Sequence, residues 1–195
     1  MRLFVALDID DGIRHRIARF LEGVRGFAPG ARWMRPESLH VTLKFIGERP
    51  SKDVDNIRLE LETITADAVE MNIRGYGFFP VALAARVFWV GIEAGPKLTS
   101  LAAAVSEKLA ALNIPSDEHS YNAHLTLARG GKGSGSPRWQ GGDGPNRSFQ
   151  RLQEKLAVLP APDFGTMTAR EFFLYQSQLS PGGSKYRKLA GFQLQ

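Results

Sequence analysis

Apolar residues recur along this chain at two spacings, and the spacing switches repeatedly. Arg2–Leu7 is a nearly continuous apolar run, the pattern of a buried strand. Over Asp11–Val24 the residues Ile13, Ile17, Phe20, Leu21 and Val24 fall at helical spacing, with Asp10 or Asp11 placed to cap the helix. Ala31–Met34 fits a short strand. Pro36-Glu37-Ser38 leads into a strand over Leu39–Ile46, closed by Gly47. Ser51–Thr63 predicts a second helix, capped by Ser51, with Val54, Ile57, Leu61 and Ile64 inward. Val69–Phe79 and Arg86–Glu93 predict strands joined by a short turn after Pro80. Pro96–Leu112 predicts a third helix with Pro96 in its first turn. A strand over His124–Arg129 follows. Gly130–Gly144, rich in Gly, Ser and Pro, predicts a flexible loop. A helix over Phe149–Leu156, a strand over Met167–Tyr175, a turn at Ser180-Pro181-Gly182-Gly183 and a strand over Tyr186–Leu194 complete the chain.

The order strand, helix, strand, helix occurs twice. His40-Val41-Thr42-Leu43 in the first half is echoed by His124-Leu125-Thr126-Leu127 in the second, 84 positions later. At the same offset Phe4 falls on Phe88, Arg2 on Arg86 and Gly47 on Gly131, and the first helix falls on the third. A repeat of this kind implies two similar lobes related by a pseudo-two-fold axis. That axis would set the two His-x-Thr strands face to face across a cleft. Strand side chains alternate, so each His shares a face with its Thr. The opposite faces, Val41/Leu43/Phe45 and Leu125/Leu127, are apolar and anchor each strand to a core.

Two imidazoles on opposite sides of a substrate can take one proton and give another in a single displacement. A threonine hydroxyl two residues on can donate to a non-bridging phosphoryl oxygen. In-line attack at phosphorus needs base and acid apart, with donors on the equatorial oxygens. A 2′,3′-cyclic phosphate suits this arrangement, because its strained ring already aligns a leaving oxygen.

Composition narrows the picture. The 195 residues are 43% hydrophobic and 23% charged, which is ordinary globular composition. There is no cysteine, which removes disulfides and thiolate metal sites. No apolar run is long enough for a membrane span, and the first residues reach Asp8 too early for a signal peptide, so a cytoplasmic protein is expected. The net charge of +5 favours anionic partners such as RNA or phosphate esters. No long exposed apolar stripe is evident, and a monomer is the expectation. His15 sits between Ile13 and Ile17 on the outer side of its helix and reads as surface. His119 reads as a loop histidine. It would not share a face with His124, so no zinc site is expected. The glycines after Arg129 lack phosphate-loop spacing, and there is no Gly-x-Ser-x-Gly elbow.

These motifs resemble those of the 2H phosphoesterase superfamily, named for two His-x-Thr/Ser motifs. More closely, the chain resembles the RNA 2′,3′-cyclic phosphodiesterases long described as 2′-5′ RNA ligases. The likeness runs through Arg2–Leu7, through Arg35–Glu48, through His124–Arg129 and through Ser177–Tyr186. The resemblance implies an α+β fold with two lobes, built as one domain, in which two antiparallel sheets flank a central cleft and helices cover the outer faces. It implies hydrolysis of an RNA 2′,3′-cyclic phosphate end, or of a small cyclic nucleotide, to a 2′-phosphomonoester without metal or cofactor. His40 would be the proton donor to the departing 3′ oxygen and His124 the proton acceptor from water. Thr42, Thr126 and Arg129 would hold the phosphate, and Phe45 and Tyr186 would touch substrate. Strict alternation points Phe45 and Arg129 away from the His face, so a bulge must intervene for them to do so. Two rival readings share the cleft. One is a binder of RNA ends or nucleotides without turnover. The other is ligation of the cyclic phosphate to a 5′-hydroxyl.

Overall fold

The computed structural model describes residues 1–116, 120–130, 147–180 and 183–195. In chain order the elements are β1 (Arg2–Asp8), α1 (Asp11–Val24), β2 (Arg32–Trp33), β3 (His40–Glu48), α2 (Val54–Glu62), β4 (Val69–Phe79), β5 (Val87–Ala94), α3 (Pro96–Ala110), β6 (His124–Arg129), α4 (Gln150–Ala157), β7 (Asp163–Ala169), β8 (Glu171–Ser180) and β9 (Gly183–Gln193). The described residues build two sheets, ordered β3-β1-β8-β9 and β2-β6-β5-β4-β7. Every pairing is antiparallel. This is the expected α+β architecture. Among the described residues no helix is long and apolar enough to cross a membrane.

The two sheets are built alike. In each, a motif strand (β3 or β6) pairs with an apolar central strand (β1 or β5), followed by two more strands. The lobes interleave, since β8 and β9 return from the end of the chain to complete the sheet that β1 begins. The run Arg2–Leu7 is continuously apolar because both its faces are covered. Leu3, Val5 and Leu7 enter the main core, while Phe4 and Ala6 join Tyr175 in a smaller cluster on the other side. The helices close the main core with their apolar stripes: Ile13, Ile17, Leu21 and Val24 from α1, and Leu98, Leu101, Val105 and Leu109 from α3. Asp10, not Asp11, caps α1. Its Oδ1 accepts from the Ile13 N–H at 2.7 Å and satisfies one of the unpaired donors of the first turn.

Several expectations are corrected. The strand over the first motif does not close at Gly47. Gly47 stays in the ladder opposite Leu3, with φ at +85°, and β3 ends at Glu48. The second helix opens with a 3-10 turn over Ser51–Asp53, and α2 has no side-chain cap, so Ser51 does not cap it. The single strand expected over Met167–Tyr175 is two strands in different sheets, β7 and β8.

In β3, Thr42 stands opposite Ala6 and Lys44 opposite Val5, leaving Leu43 as an extra residue. In β6, Thr126 stands opposite Trp89 and Ala128 opposite Phe88, leaving Leu127 as an extra residue. Both motif strands therefore carry a bulge at the residue after the threonine. A bulge inserts one residue and resets which face the following side chains occupy. Leu43 and Lys44 both turn inward, and so do Leu127 and Ala128. Phe45 thus leaves the apolar face, where alternation placed it, and returns to the His side. Arg129 does the same in the other lobe.

The central strands correspond at a different offset from the motif strands. His40 faces Asp8 and His124 faces Gly91, so β1 matches β5 at 83 positions, while the motifs match at 84. The Phe4–Phe88 match is consequently a one-residue slip, which places the two rings on opposite faces. Phe4 lies on the His side, whereas Phe88 is fully buried in the main core.

Candidate active site

His40 and His124 are held in the same way. His40 Nδ1 lies 2.8 Å from the Ser38 carbonyl oxygen, and His124 Nδ1 lies 2.8 Å from the Asn122 carbonyl oxygen. A carbonyl oxygen only accepts, so each Nδ1 carries the hydrogen and donates. Each ring's Nε2 is then left to exchange a proton. In both lobes the partner is the residue two positions earlier, at the entry to the motif strand. The local backbone therefore sets tautomer and ring orientation together.

Aromatic side chains wall in both imidazoles. Around His40 are Phe4 with ring centroids 4.7 Å away, Tyr186 at 5.0 Å edge-on, and Tyr175 at 6.1 Å. Around His124 are Phe79 at 5.1 Å edge-on and Trp89 at 6.3 Å. Trp89 lies across Gly77, its ladder partner, where a Cβ would come within 2.1 Å of the indole. Only glycine admits that approach.

Charge around the histidines is uneven. Burial lowers the His40 pKa to about 4; the Ser38 hydrogen bond and Asp8 oppose that shift, while Arg129 and His124 add to it. Burial also lowers the His124 pKa, against its bond to Asn122, and Arg129 again adds to the shift. Arg129 is itself depressed by burial, is favoured by the Tyr186 phenol, and is opposed by Arg32 and Arg2. Arg32 is its cross-strand partner in the ladder. These mutual effects join β3 and β9 of one sheet to β6 of the other.

His40 and Thr42 thus share one face of β3, and His124, Thr126 and Arg129 one face of β6, each turned away from the main core. Tyr186 joins them against His40. Phe45 sits at the margin, half-exposed, with its ring 6.3 Å from Phe4. His15 is exposed on α1. His119 lies outside the described residues, as does the Gly130–Gly144 loop beyond Gly130. Sequence reasoning passed over Asp8, Phe4, Tyr175, Phe79, Trp89, Arg2 and Arg32. Period-two alternation from Ala6 marks Phe4 and Asp8 once β1 is known to sit beside β3. Nothing local points to Tyr175, whose strand pairs with β1 from far along the chain. Among the described residues no three His, Cys, Asp or Glu side chains are grouped to share a metal ion.

Two His-x-Thr strands, paired by a pseudo-two-fold axis within a two-lobed α+β fold, define the 2H phosphoesterase class. The family model described as LigT like phosphoesterase matches residues 7–89. A curated RNA 2′,3′-cyclic phosphodiesterase of Archaeoglobus fulgidus is 33% identical over 193 residues, covering 99% of this chain and 100% of that protein. Another of the same name, from Thermus thermophilus, is 31% identical over 202 residues, covering 100% and 90%. Among solved structures, TT0787 of Thermus thermophilus superposes with a TM-score of 0.75 at 27% identity, covering 100% of this chain and 98% of that one. Escherichia coli LigT, solved with 3′-AMP, shares the fold with a TM-score of 0.77 at 22% identity, covering 99% and 97%. The chain belongs to the LigT-like phosphoesterase family.

Proposed function

We propose that this protein hydrolyses the 2′,3′-cyclic phosphate ends of RNA to 2′-phosphomonoesters, using two histidines and no metal ion. The observation that carries this reading is the matched pair of imidazoles, each with Nδ1 tied to a backbone carbonyl at 2.8 Å. The names of the full-length relatives from Archaeoglobus fulgidus and Thermus thermophilus supply the substrate class.

In this reading His124, neutral because it is buried, takes a proton from water as the oxygen attacks phosphorus. The bond from phosphorus to the 3′ oxygen breaks, and His40 gives that oxygen a proton. Thr42 and Thr126 donate to the non-bridging oxygens, and the Arg129 guanidinium balances charge that builds there. His40 must first gain its proton. The incoming phosphate anion favours the imidazolium and offsets the burial that opposes it. Phe45 and Tyr186 offer rings to the nucleoside beside the phosphate. A 5′-hydroxyl in place of water would give ligation by the same two groups. Water's abundance makes hydrolysis the main outcome.

The test is an RNA oligomer ending in a 2′,3′-cyclic phosphate, incubated with the protein in excess chelator. The expected product carries a 2′-phosphate, formed as fast as without chelator. A 3′-phosphate product, loss of rate in chelator, or no turnover at all would each contradict the reading. A 5′-hydroxyl RNA added to the same mixture reads ligation directly.

A further inference from the structure

We propose that Asp8 is a positioning residue that assigns the proton-donor role to His40, because its carboxylate stands directly across the β1–β3 ladder from His40 and the matching place in the other lobe has no side chain. The inference rests on the hydrolytic reading above. A pseudo-two-fold site poses a problem that its symmetry cannot solve. The two imidazoles have the same tautomer and the same backbone bond, yet one must give a proton while the other takes one.

Asp8 breaks that symmetry. It is the ladder partner of His40, and directly opposed side chains in an antiparallel pair lie on one face, about 5 Å apart at Cβ. Its carboxylate is pinned. Oδ1 accepts from Arg14 Nη2 at 2.8 Å and from the Ile9 N–H at 3.0 Å, and Oδ2 accepts from Lys188 Nζ at 2.7 Å. Burial alone would raise the Asp8 pKa, but Lys188 and Arg14 together bring it below the ordinary carboxylate value, so the group stays an anion. Lys188 is itself fixed, with its ammonium 3.8 Å from the Phe173 ring centroid.

The second lobe has Gly91 opposite His124. A Cβ at Gly91 would come within 2.7 Å of the Arg74 backbone oxygen, so β4 leaves no room for a carboxylate there. Among the described residues the groups facing His40 are Asp8 from β1, with Arg14 of α1 behind it; Tyr175 from β8; Tyr186 and Lys188 from β9; and His124 and Arg129 from β6. Asp8 is the one anion in that set. Among the described residues His124 has Arg129 as its charged neighbour and no carboxylate. When substrate displaces water, charge interactions in the cleft strengthen. Asp8 then favours the imidazolium on His40 alone, which makes His40 the donor and leaves His124 the acceptor.

Asp8 also ties α1 to the sheet through Arg14, so the test must separate charge from scaffolding. Asp8→Asn removes the charge and keeps an oxygen for the Arg14 and Ile9 bonds. Its basic limb in the kcat pH profile, which reports groups in the substrate complex, should move down by about one unit, a roughly tenfold loss of rate above the limb. Lys188→Met removes the facing cation and should move the same limb up. Opposite shifts are not what a structural role produces. Independently of turnover, NMR titration with bound nucleoside 2′-monophosphate should show Asp8→Asn lowering the His40 midpoint and leaving that of His124 in place. An unmoved His40 midpoint, or an equal shift of both histidines, overturns the inference. Should Asp8→Asn fail to fold, Lys188→Met decides, and an unmoved limb and midpoint overturn the proposal. A wild-type protein with no turnover would sink the hydrolytic reading instead, while the titration still reports on Asp8.

Discussion

The His40 imidazole is lodged among Phe4, Tyr175 and Tyr186, and that environment has a thermodynamic consequence. Its pKa falls from 6.5 to about 4 on folding. Between those values the unfolded chain binds a proton that the folded protein does not, so stability rises with pH. His40's contribution is complete above pH 6.5 and is lost as pH falls towards 4. At about 1.4 kcal/mol per unit, the loss is roughly 3 kcal/mol in all. His124 adds to it in the same direction. Urea denaturation of the wild type and of His40→Ala, at pH 7 and near pH 4.5, should show a shallower decline in the variant. Equal declines would contradict the account. At this scale the candidate residues were legible, since His and Thr two apart on a strand must share a face. Lys44 was not. It is almost wholly buried, with Nζ donating to the Pro115 carbonyl at 2.7 Å, because the bulge turned it inward in the place alternation reserves for Phe45.

The elements carry the geometry that single residues cannot. The paired bulges at Leu43 and Leu127 bring Phe45 and Arg129 back to the His face of their strands. In β6 the successive apolar residues Leu127 and Ala128 hint at a bulge, while in β3 the lysine disguises it. The break between β7 and β8 had a readable sign. Buried positions fall on Met167 and Ala169, then on Phe172 and Leu174, so the alternation changes phase at Arg170-Glu171. The β4–β5 ladder yields a prediction of its own. Gly77→Ala must push Trp89 off its partner strand and off the stack with Phe79, whose centroid is 5.0 Å away. An overpacked contact of this kind costs about 1–3 kcal/mol. The melting temperature should fall, and turnover should fall several-fold as the wall beside His124 shifts. An unchanged melting temperature and rate would show that Trp89 has room to spare.

Across the whole molecule, the repeat read from the two motifs becomes a pair of similar sheets, with the catalytic candidates on equivalent strands, β3 at its sheet's edge and β6 covered by β2. The interleaving was not legible. Strand β8 joins β1 across most of the chain, and no local pattern encodes so distant a partner. The one-residue difference between the central-strand and motif offsets was equally hidden, and it is what sets Asp8 against Gly91. In the proposed function His40 and His124 act as one unit in a single site. Single-turnover hydrolysis of a cyclic-phosphate-ended RNA by His40→Ala, His124→Ala and the double variant tests it most directly. Each single variant should lose about 10²–10⁴-fold in rate, the double variant should be little worse than either, and a nucleoside 2′-phosphate should still bind. Near-wild-type hydrolysis by either single variant, or losses that multiply in the double, would contradict it.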